Sequence, residues 1–204
     1  MTPSEKELAE RVGLVVLEEF LDAPTCGRII AEMRSAPGGP ATVYRPGAQS
    51  PVDESLRKTT RLMLSEATTE SVRRRLLGVK PEVERRFGLA LSDCEAPQFL
   101  LYRAGDFFVP HQDGNTEQLQ YDHLRVRRVS TVVFLSGQSA LPAPDTYGGG
   151  ALAFYEPGAD LRGEAPALKL GGEPGLLVAF RADATHGVEA VTRGERFSIV
   201  CWYR

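Results

Sequence analysis

The stretch FFVPHQDGN, residues 107–115, sets a histidine and an aspartate two positions apart, behind three apolar residues and a proline. Two readings are open: half of a metal site, or two polar residues on a loop edge. Side chains alternate faces along a strand, so His111 and Asp113 at a strand end point the same way and can grip one ion. The motif alone does not separate the readings. What the rest of the chain supplies does.

The chain has only three histidines. His186 follows RADAT and begins another strand candidate. Two histidines and a carboxylate form the facial triad of non-haem Fe(II) oxygenases, which leaves coordination positions open for a cosubstrate and O2. The last apolar segment, ERFSIVCWYR, adds Arg196 and Ser198 on one strand face. A guanidinium matches a carboxylate bidentately, and a serine hydroxyl contributes a further hydrogen bond. Tyr102, in QFLLYRAGD, shares its face with Gln98 and Leu100 and offers a phenolic donor. Taken singly, Arg196 also fits a surface strand and Tyr102 a core edge.

From Ala96 onward the apolar segments are PQFLLYRA, FFVPHQD, RVSTVVFLS, GALAFYE, APALKL, GLLVAF, HGVEAV and ERFSIVCWY, separated by GD, GGG, GGEPG and TRGE turn signals. Eight short strands over this length predict a double-sheet jelly roll. Residues 1–95 mix helix and strand. GLVVLEEFL (13–21) is a strand candidate. Asp22 and Pro24 start a helix with Ile29, Ile30 and Met33 on one face. The Gly/Pro-rich stretch 35–55 reads as a long loop, and TTRLML (59–64) as a strand. ESVRRRLLGV places Val72, Leu76 and Leu77 on one helical face, with Gly78 and Pro81 predicted to interrupt that helix before a second short one. The fold expected is mostly β with flanking helices: a double-stranded β-helix (jelly roll) with an N-terminal α/β elaboration. It forms one domain over 1–204, with a support region at 1–95 and a catalytic core at 96–204.

Composition bounds the function. A length of 204 residues suits one domain, and glycine (20) with proline (14) suits short strands joined by turns. A net charge of −3 gives no basic footprint for nucleic acid. No apolar run reaches the ~18 residues of a membrane helix. The charged N-terminus MTPSEKELAERVG lacks a signal peptide's apolar core. Cys26, Cys94 and Cys201 form neither a disulfide framework nor a zinc signature, and a reducing cytoplasm is the expected compartment. Oligomeric state is left open.

The ordered series Tyr102, HQD, RVSTVVFLS, YGGGALAFY, GLLVAF leading to His186, and ERFSIVCWY resembles the 2-oxoglutarate and Fe(II)-dependent oxygenases, in their prolyl-4-hydroxylase-like branch. The resemblance covers about residues 96–204, and LVVLEEFLDAPTCGRII looks like the opening strand and helix of that branch. It implies that His111, Asp113 and His186 hold Fe(II). It implies that Arg196 pairs with the distal carboxylate of 2-oxoglutarate, assisted by Tyr102 and Ser198. Thr131 is a candidate for the cosubstrate pocket wall and Trp202, on the face of Arg196 and Ser198, for another; core packing is the alternative for both. O2 is the oxidant and ascorbate a candidate reductant. Two departures stand out. Phe108 occupies the position of a second tyrosine, and arginine replaces the lysine of collagen-type relatives.

The implied reaction hydroxylates a C–H bond of a prolyl peptide or small molecule, releasing succinate and CO2. The alternatives are desaturation or ring formation at the same iron, a zinc hydrolase, and a non-catalytic jelly-roll module. Lid candidates are 42–58, 114–128 and 137–150. His123, Arg103, Arg125 and Arg127 read as a solvated rim. The glycines at 148–150 read as close backbone approach at a strand start.

Overall fold

The structure, a computed structural model, describes residues 1–43, 52–114, 122–157 and 165–204. In chain order the elements are α1 (Pro3–Arg11), β1 (Val15–Leu17), α2 (Ala23–Ser35), β2 (Gly38–Pro40), β3 (Arg57–Lys58), β4 (Thr60–Leu62) and α3 (Glu66–Phe87). Then follow β5 (Gln98–Tyr102), β6 (Phe107–His111), α4 (Asp122–Arg125), β7 (Val129–Phe134), β8 (Gly137–Gln138), β9 (Thr146–Gly149) and β10 (Leu152–Phe154). The chain ends with β11 (Leu168–Leu170), β12 (Leu177–Arg181), β13 (His186–Val188), β14 (Val191–Gly194) and β15 (Arg196–Tyr203).

The strands form a seven-stranded major sheet, β1-β12-β7-β15-β5-β4-β2, and a five-stranded minor sheet, β11-β10-β13-β6-β3. A three-stranded sheet, β14-β9-β8, adds the only parallel pair among the described strands, β8 with β9. The major sheet is apolar on both faces, and alternation decides what each face meets. Phe99, Leu101, Phe197, Ile199 and Cys201 pack with Ile29, Ile30 and Met33 of α2 and Val72, Leu76 and Val83 of α3. Val132, Phe134, Val178 and Phe180 turn the other way, onto Leu152, Phe154 and Leu168 of the minor sheet. The edge-to-face pair Phe154–Phe180, 5.0 Å between centroids, bridges the two sheets. Away from this apolar end the facing sheets leave a cavity of about 650 Å³.

The helices start where their caps dictate. The Asp22 carboxylate accepts from the Thr25 N–H at 2.7 Å, and α2 follows with Cys26, Ile29, Ile30 and Met33 buried. The expected break at Gly78 and Pro81 does not occur: α3 runs unbroken for 22 residues with Pro81 inside it. A proline there forfeits the bond to the Leu77 carbonyl and costs ~3 kcal/mol. Burying Val72, Leu76 and Val83 contributes about 1.5–3 kcal/mol each, which outweighs that loss. Gly88, at φ 63°, supplies the left-handed residue that ends the helix.

Other expectations also shift. MTPSEKELAERVG forms α1, whose Thr2–Glu5 capping box satisfies its first turn. The stretch 35–55 contributes strand β2, while 44–51 lie outside the described residues. HGVEAV divides into β13 and β14. The segment 137–150, expected as a lid, is ordered into β8 and β9. Of the other lid candidates, 115–121 lie outside the described residues, as does the side chain of His123. The glycine run fits close approach: a Cβ on Gly149 (φ +65°) would stand 2.4 Å from the Ala190 carbonyl oxygen. Among the described residues no helix is long and apolar enough to cross a membrane.

Candidate metal centre and anion pocket

The minor sheet brings the two distant histidines together. Across its strands, register partners run Phe154–His186–His111 in one row and Leu152–Val188–Phe108–Arg57 in the next, with a register shift between His186 and Val188. Partners directly opposite share a face. Phe154 and Leu152 face the major sheet, so the remainder of both rows does too. Gly187 allows this contact, because a Cβ there would stand 2.8 Å from the Phe108 carbonyl oxygen. Beyond β6 the backbone N–H groups of Asp113 and Gly114 both donate to the Ala182 carbonyl, at 2.9 and 3.0 Å. Gln112 turns outward and donates to the Asp183 carbonyl. His111 and Asp113 therefore both point inward.

The ligand atoms of His111, Asp113 and His186 all lie within 4.8 Å of one another. Nε2 of His111 is 3.5 Å from Oδ1 of Asp113, and Nε2 of His186 is 3.4 Å from Oδ2. Each imidazole Nδ1 sits 2.9 Å from a backbone carbonyl, Val109 for His111 and Ala184 for His186. A carbonyl only accepts, so Nδ1 carries a proton, which leaves Nε2, the nitrogen facing the carboxylate, as the available ligand atom. Ser130 Oγ donates to Asp113 Oδ2 at 2.7 Å. Burial lowers the pKa of His111, with the neighbouring His186 adding to it, against the opposing pull of Asp113 and Val109. Burial works to raise the pKa of Asp113, and the two imidazoles overcome it, holding the carboxyl well below its ordinary range. The three groups thus bring two imidazole nitrogens and one carboxylate together, a donor set that fits a divalent transition metal.

The major sheet supplies the opposite wall. Cross-strand pairing of β15 with β5 sets Arg196 against Tyr102, Ser198 against Leu100 and Val200 against Gln98, all lining the cavity with Trp202. Arg196 is 1% exposed, and its Nη1 donates to Ser198 Oγ at 2.9 Å. Its Nε and Nη2 are buried without a partner. The rings of Phe134, Tyr102 and Tyr147 surround the guanidinium at 5.0, 5.1 and 6.0 Å. A buried cation with unmet donors and no carboxylate beside it among the described residues is suited to receive an anion.

Tyr147 on β9 escaped the sequence reading, although it lay within the YGGG motif. Its hydroxyl is buried without a partner, and burial raises its pKa against the counteracting charge of Arg196. Thr131 borders the cavity and pairs with Ala179 and Cys201 on the face of Val129 and Val133, which packs toward α2 and α3. Its hydroxyl donates to the Cys201 carbonyl at 2.9 Å. Its neighbour Ser130, one step away in a period of two, faces Asp113. Arg127 departs from its expected place. It is buried rather than on a solvated rim, bound to Glu95 through two nitrogens at 2.6 and 2.7 Å, and lies 3.8 Å above the Trp202 ring. Arg103 is exposed and pairs at 3.7 Å with Glu195, and Arg125 is exposed. Phe108 stacks on His111 with 3.6 Å between centroids and an 18° tilt.

The facing sheets carry a His-Asp-His cluster on one wall and a buried arginine on the other, a donor set suited to a metal ion opposite groups suited to an anion. The chain belongs to the 2OG-Fe(II) oxygenase superfamily, whose family model matches residues 97–204. A PKHD-type hydroxylase of Gluconacetobacter diazotrophicus is 35% identical over 107 residues, which are 52% of this chain and 41% of that protein. The chain thus spans about two-fifths of the length of the curated relatives it matches. The fold is similar to that of a Pseudomonas putida prolyl-4-hydroxylase, with a TM-score of 0.66 at 22% identity, covering 98% of this chain and 97% of that one. It is also similar to a Trichoplax adhaerens prolyl hydroxylase in complex with a hypoxia inducible factor oxygen degradation domain peptide fragment. There the TM-score is 0.65 at 15% identity, covering 98% of this chain and 87% of that one.

Proposed function

We propose that this protein is an Fe(II)- and 2-oxoglutarate-dependent oxygenase that hydroxylates a C–H bond of a prolyl peptide or small molecule, with release of succinate and CO2. The observation that carries this reading is the buried, half-satisfied Arg196 facing the same cavity as the His111–Asp113–His186 cluster. A metal site alone fits many chemistries. An anion receptor on the opposite wall fits a cosubstrate that bridges the two.

In this reading the two facing sheets form a double-stranded β-helix core at 96–204 on a support region at 1–95, within one domain. His111 Nε2, His186 Nε2 and one Asp113 oxygen hold iron, and Ser130 steadies the other oxygen. Arg196 receives the distal carboxylate of 2-oxoglutarate, assisted by Ser198, Tyr102 and Tyr147. Trp202 walls the pocket, held flat beneath Arg127. Iron, 2-oxoglutarate and O2 together supply the oxidising power that turns C–H into C–OH, with ascorbate as a reductant for the metal. The protein orients these partners and excludes water, which Phe108 and the apolar rows around the histidines favour. Three free, buried cysteines accord with a reducing, cytoplasmic setting.

Anaerobic addition of Fe(II) and 2-oxoglutarate is expected to produce a visible charge-transfer band in the wild type and none in His111→Ala. Oxygen should then drive succinate release. Absence of both the band and any O2-dependent succinate would refute the assignment.

A further inference from the structure

The cavity between the sheets holds more positive charge than the proposed chemistry uses. Its described lining carries four guanidinium groups, Arg57, Arg61, Arg127 and Arg196, against two carboxylates, Glu95 and Asp113. Asp113 belongs to the metal cluster. Glu95 is bound bidentately by Arg127. Arg196 is assigned to the cosubstrate, so Arg57 and Arg61 have no counter-charge among the described lining residues.

Both come from one short stretch of chain, β3 and β4. Arg57 ends the inward-facing row Leu152–Val188–Phe108–Arg57 of the minor sheet. Its guanidinium lies 4.6 Å over the Phe108 ring, whose other neighbour is His111. Nη1 donates to the Thr42 carbonyl at 3.1 Å, while Nε is buried without a partner. Between Lys58 and Thr60 the chain passes from the minor to the major sheet. Arg61 is there the cross-strand partner of Leu100, on the face that lines the cavity. One short segment thus sets a guanidinium on each wall of the cavity, the first of them a single ring removed from a metal ligand. Lys58 between them pairs with Phe107 on the opposite face and contacts Asp106 at 3.7 Å.

We propose that Arg57 and Arg61 form a second anion subsite that takes a carboxylate of the substrate, so that the substrate class is carboxylate-bearing. This rests on the oxygenase reading above. The planar guanidinium fork matches a carboxylate in two parallel bonds, which half-buried Arg57 holds more strongly than exposed Arg61. Phe108 serves as the platform that fixes Arg57. A tyrosine hydroxyl at that position would add a polar group under the guanidinium face, where the chain instead has a plain ring.

The test compares matched pairs that differ only at the acid: N-acetylproline with N-acetylprolinamide, N-acetylleucine with its amide, and a proline-containing tripeptide with a free or amidated C-terminus. Each pair is read by substrate-dependent succinate release and by the shift of the anaerobic Fe(II)/2-oxoglutarate band. The acid is expected to exceed the amide by at least about tenfold in kcat/KM, the loss of one charge-assisted contact. That advantage should shrink to within about threefold in Arg57→Gln/Arg61→Gln and persist in Lys58→Gln, which changes net charge without touching the cavity. A larger acid advantage in the N-acetyl pairs than in the peptide pair identifies a free small acid as the source of the carboxylate, and the reverse identifies a peptide terminus. Equal use of acid and amide in the wild type, or an undiminished preference in the double variant, overturns the proposal. The band is recorded for every preparation. Its absence from the wild type defeats the oxygenase reading, whereas its presence without an acid preference defeats only this subsite.

Discussion

The two walls of the cavity are built differently. The metal wall comes from short minor-sheet strands, with β6 only half-buried along its length and a register shift where β13 meets it. The anion wall comes from β15, eight residues long and almost wholly buried, between β5 and β7. Metal ligands must converge on a point, and an irregular pairing of β13 with β6, with Gly187 in it, lets three side chains do so. A carboxylate receptor must hold one guanidinium still, and the regular interior of a large sheet does that best. The metal wall is accordingly over-supplied with intramolecular partners, whereas the anion wall retains two unmet donors.

That contrast can be broken on each side. His111→Ala or Asp113→Ala is expected to weaken Mn(II) or Ni(II) binding by several hundredfold, roughly one ligand's share of the site's binding energy; calorimetry measures it. Arg196→Gln acts on the other wall alone. The KM for 2-oxoglutarate should rise roughly 100-fold, from two lost charge-assisted bonds, with metal affinity unchanged. The melting temperature of Arg196→Gln without cosubstrate should hold or rise, since the charge removed has no acidic partner among the described residues. A clear fall in melting temperature would show that Arg196 is structural.

Smaller effects sharpen the comparison. Ser130→Ala should cost about tenfold in metal affinity, because it frees the Asp113 oxygen it now holds. Thr131→Val, one residue on and facing the helices, should leave both ligands' affinities unchanged. The smallest effect is in pH. The pKa of His111 lies below the ordinary 6.5, so metal affinity should stay flat through neutrality and fall only beneath that value. In the metal-free protein the unfolded state binds the extra proton first. Stability should therefore decline as pH drops from 6.5 toward the lowered folded pKa. Melting curves across that interval check the sign.

Much of the site was legible in sequence because a strand has a period of two. His111 and Asp113, Arg196 and Ser198, and Gln98, Leu100 and Tyr102 each share a face by spacing alone, and each set lines the cavity. At β7 an unbroken apolar run gives no alternation to mark the inward face, so the sequence does not separate Thr131, which borders the cavity, from Ser130, which faces Asp113. Tyr147 was missed for a different reason: β9 lay in a Gly/Pro-rich stretch whose strand character comes from pairing with β8 and β14. Pro81 misled because propensity is local and α3 is held by packing.

Residue types, their order and the strand period lie in the chain itself. They suffice for a β fold with a His-Asp-His set and an arginine on its last strand. Tertiary structure alone decided that these four meet in one cavity, that Arg127 is neutralised by Glu95, and that Arg57 and Arg61 line that cavity from different sheets. Those facts depend on which strands become neighbours and in what register. A one-residue slip would turn every such side chain to the other face. Nothing within a single strand carries that information, because it is set by how two sheets and two helices share one core.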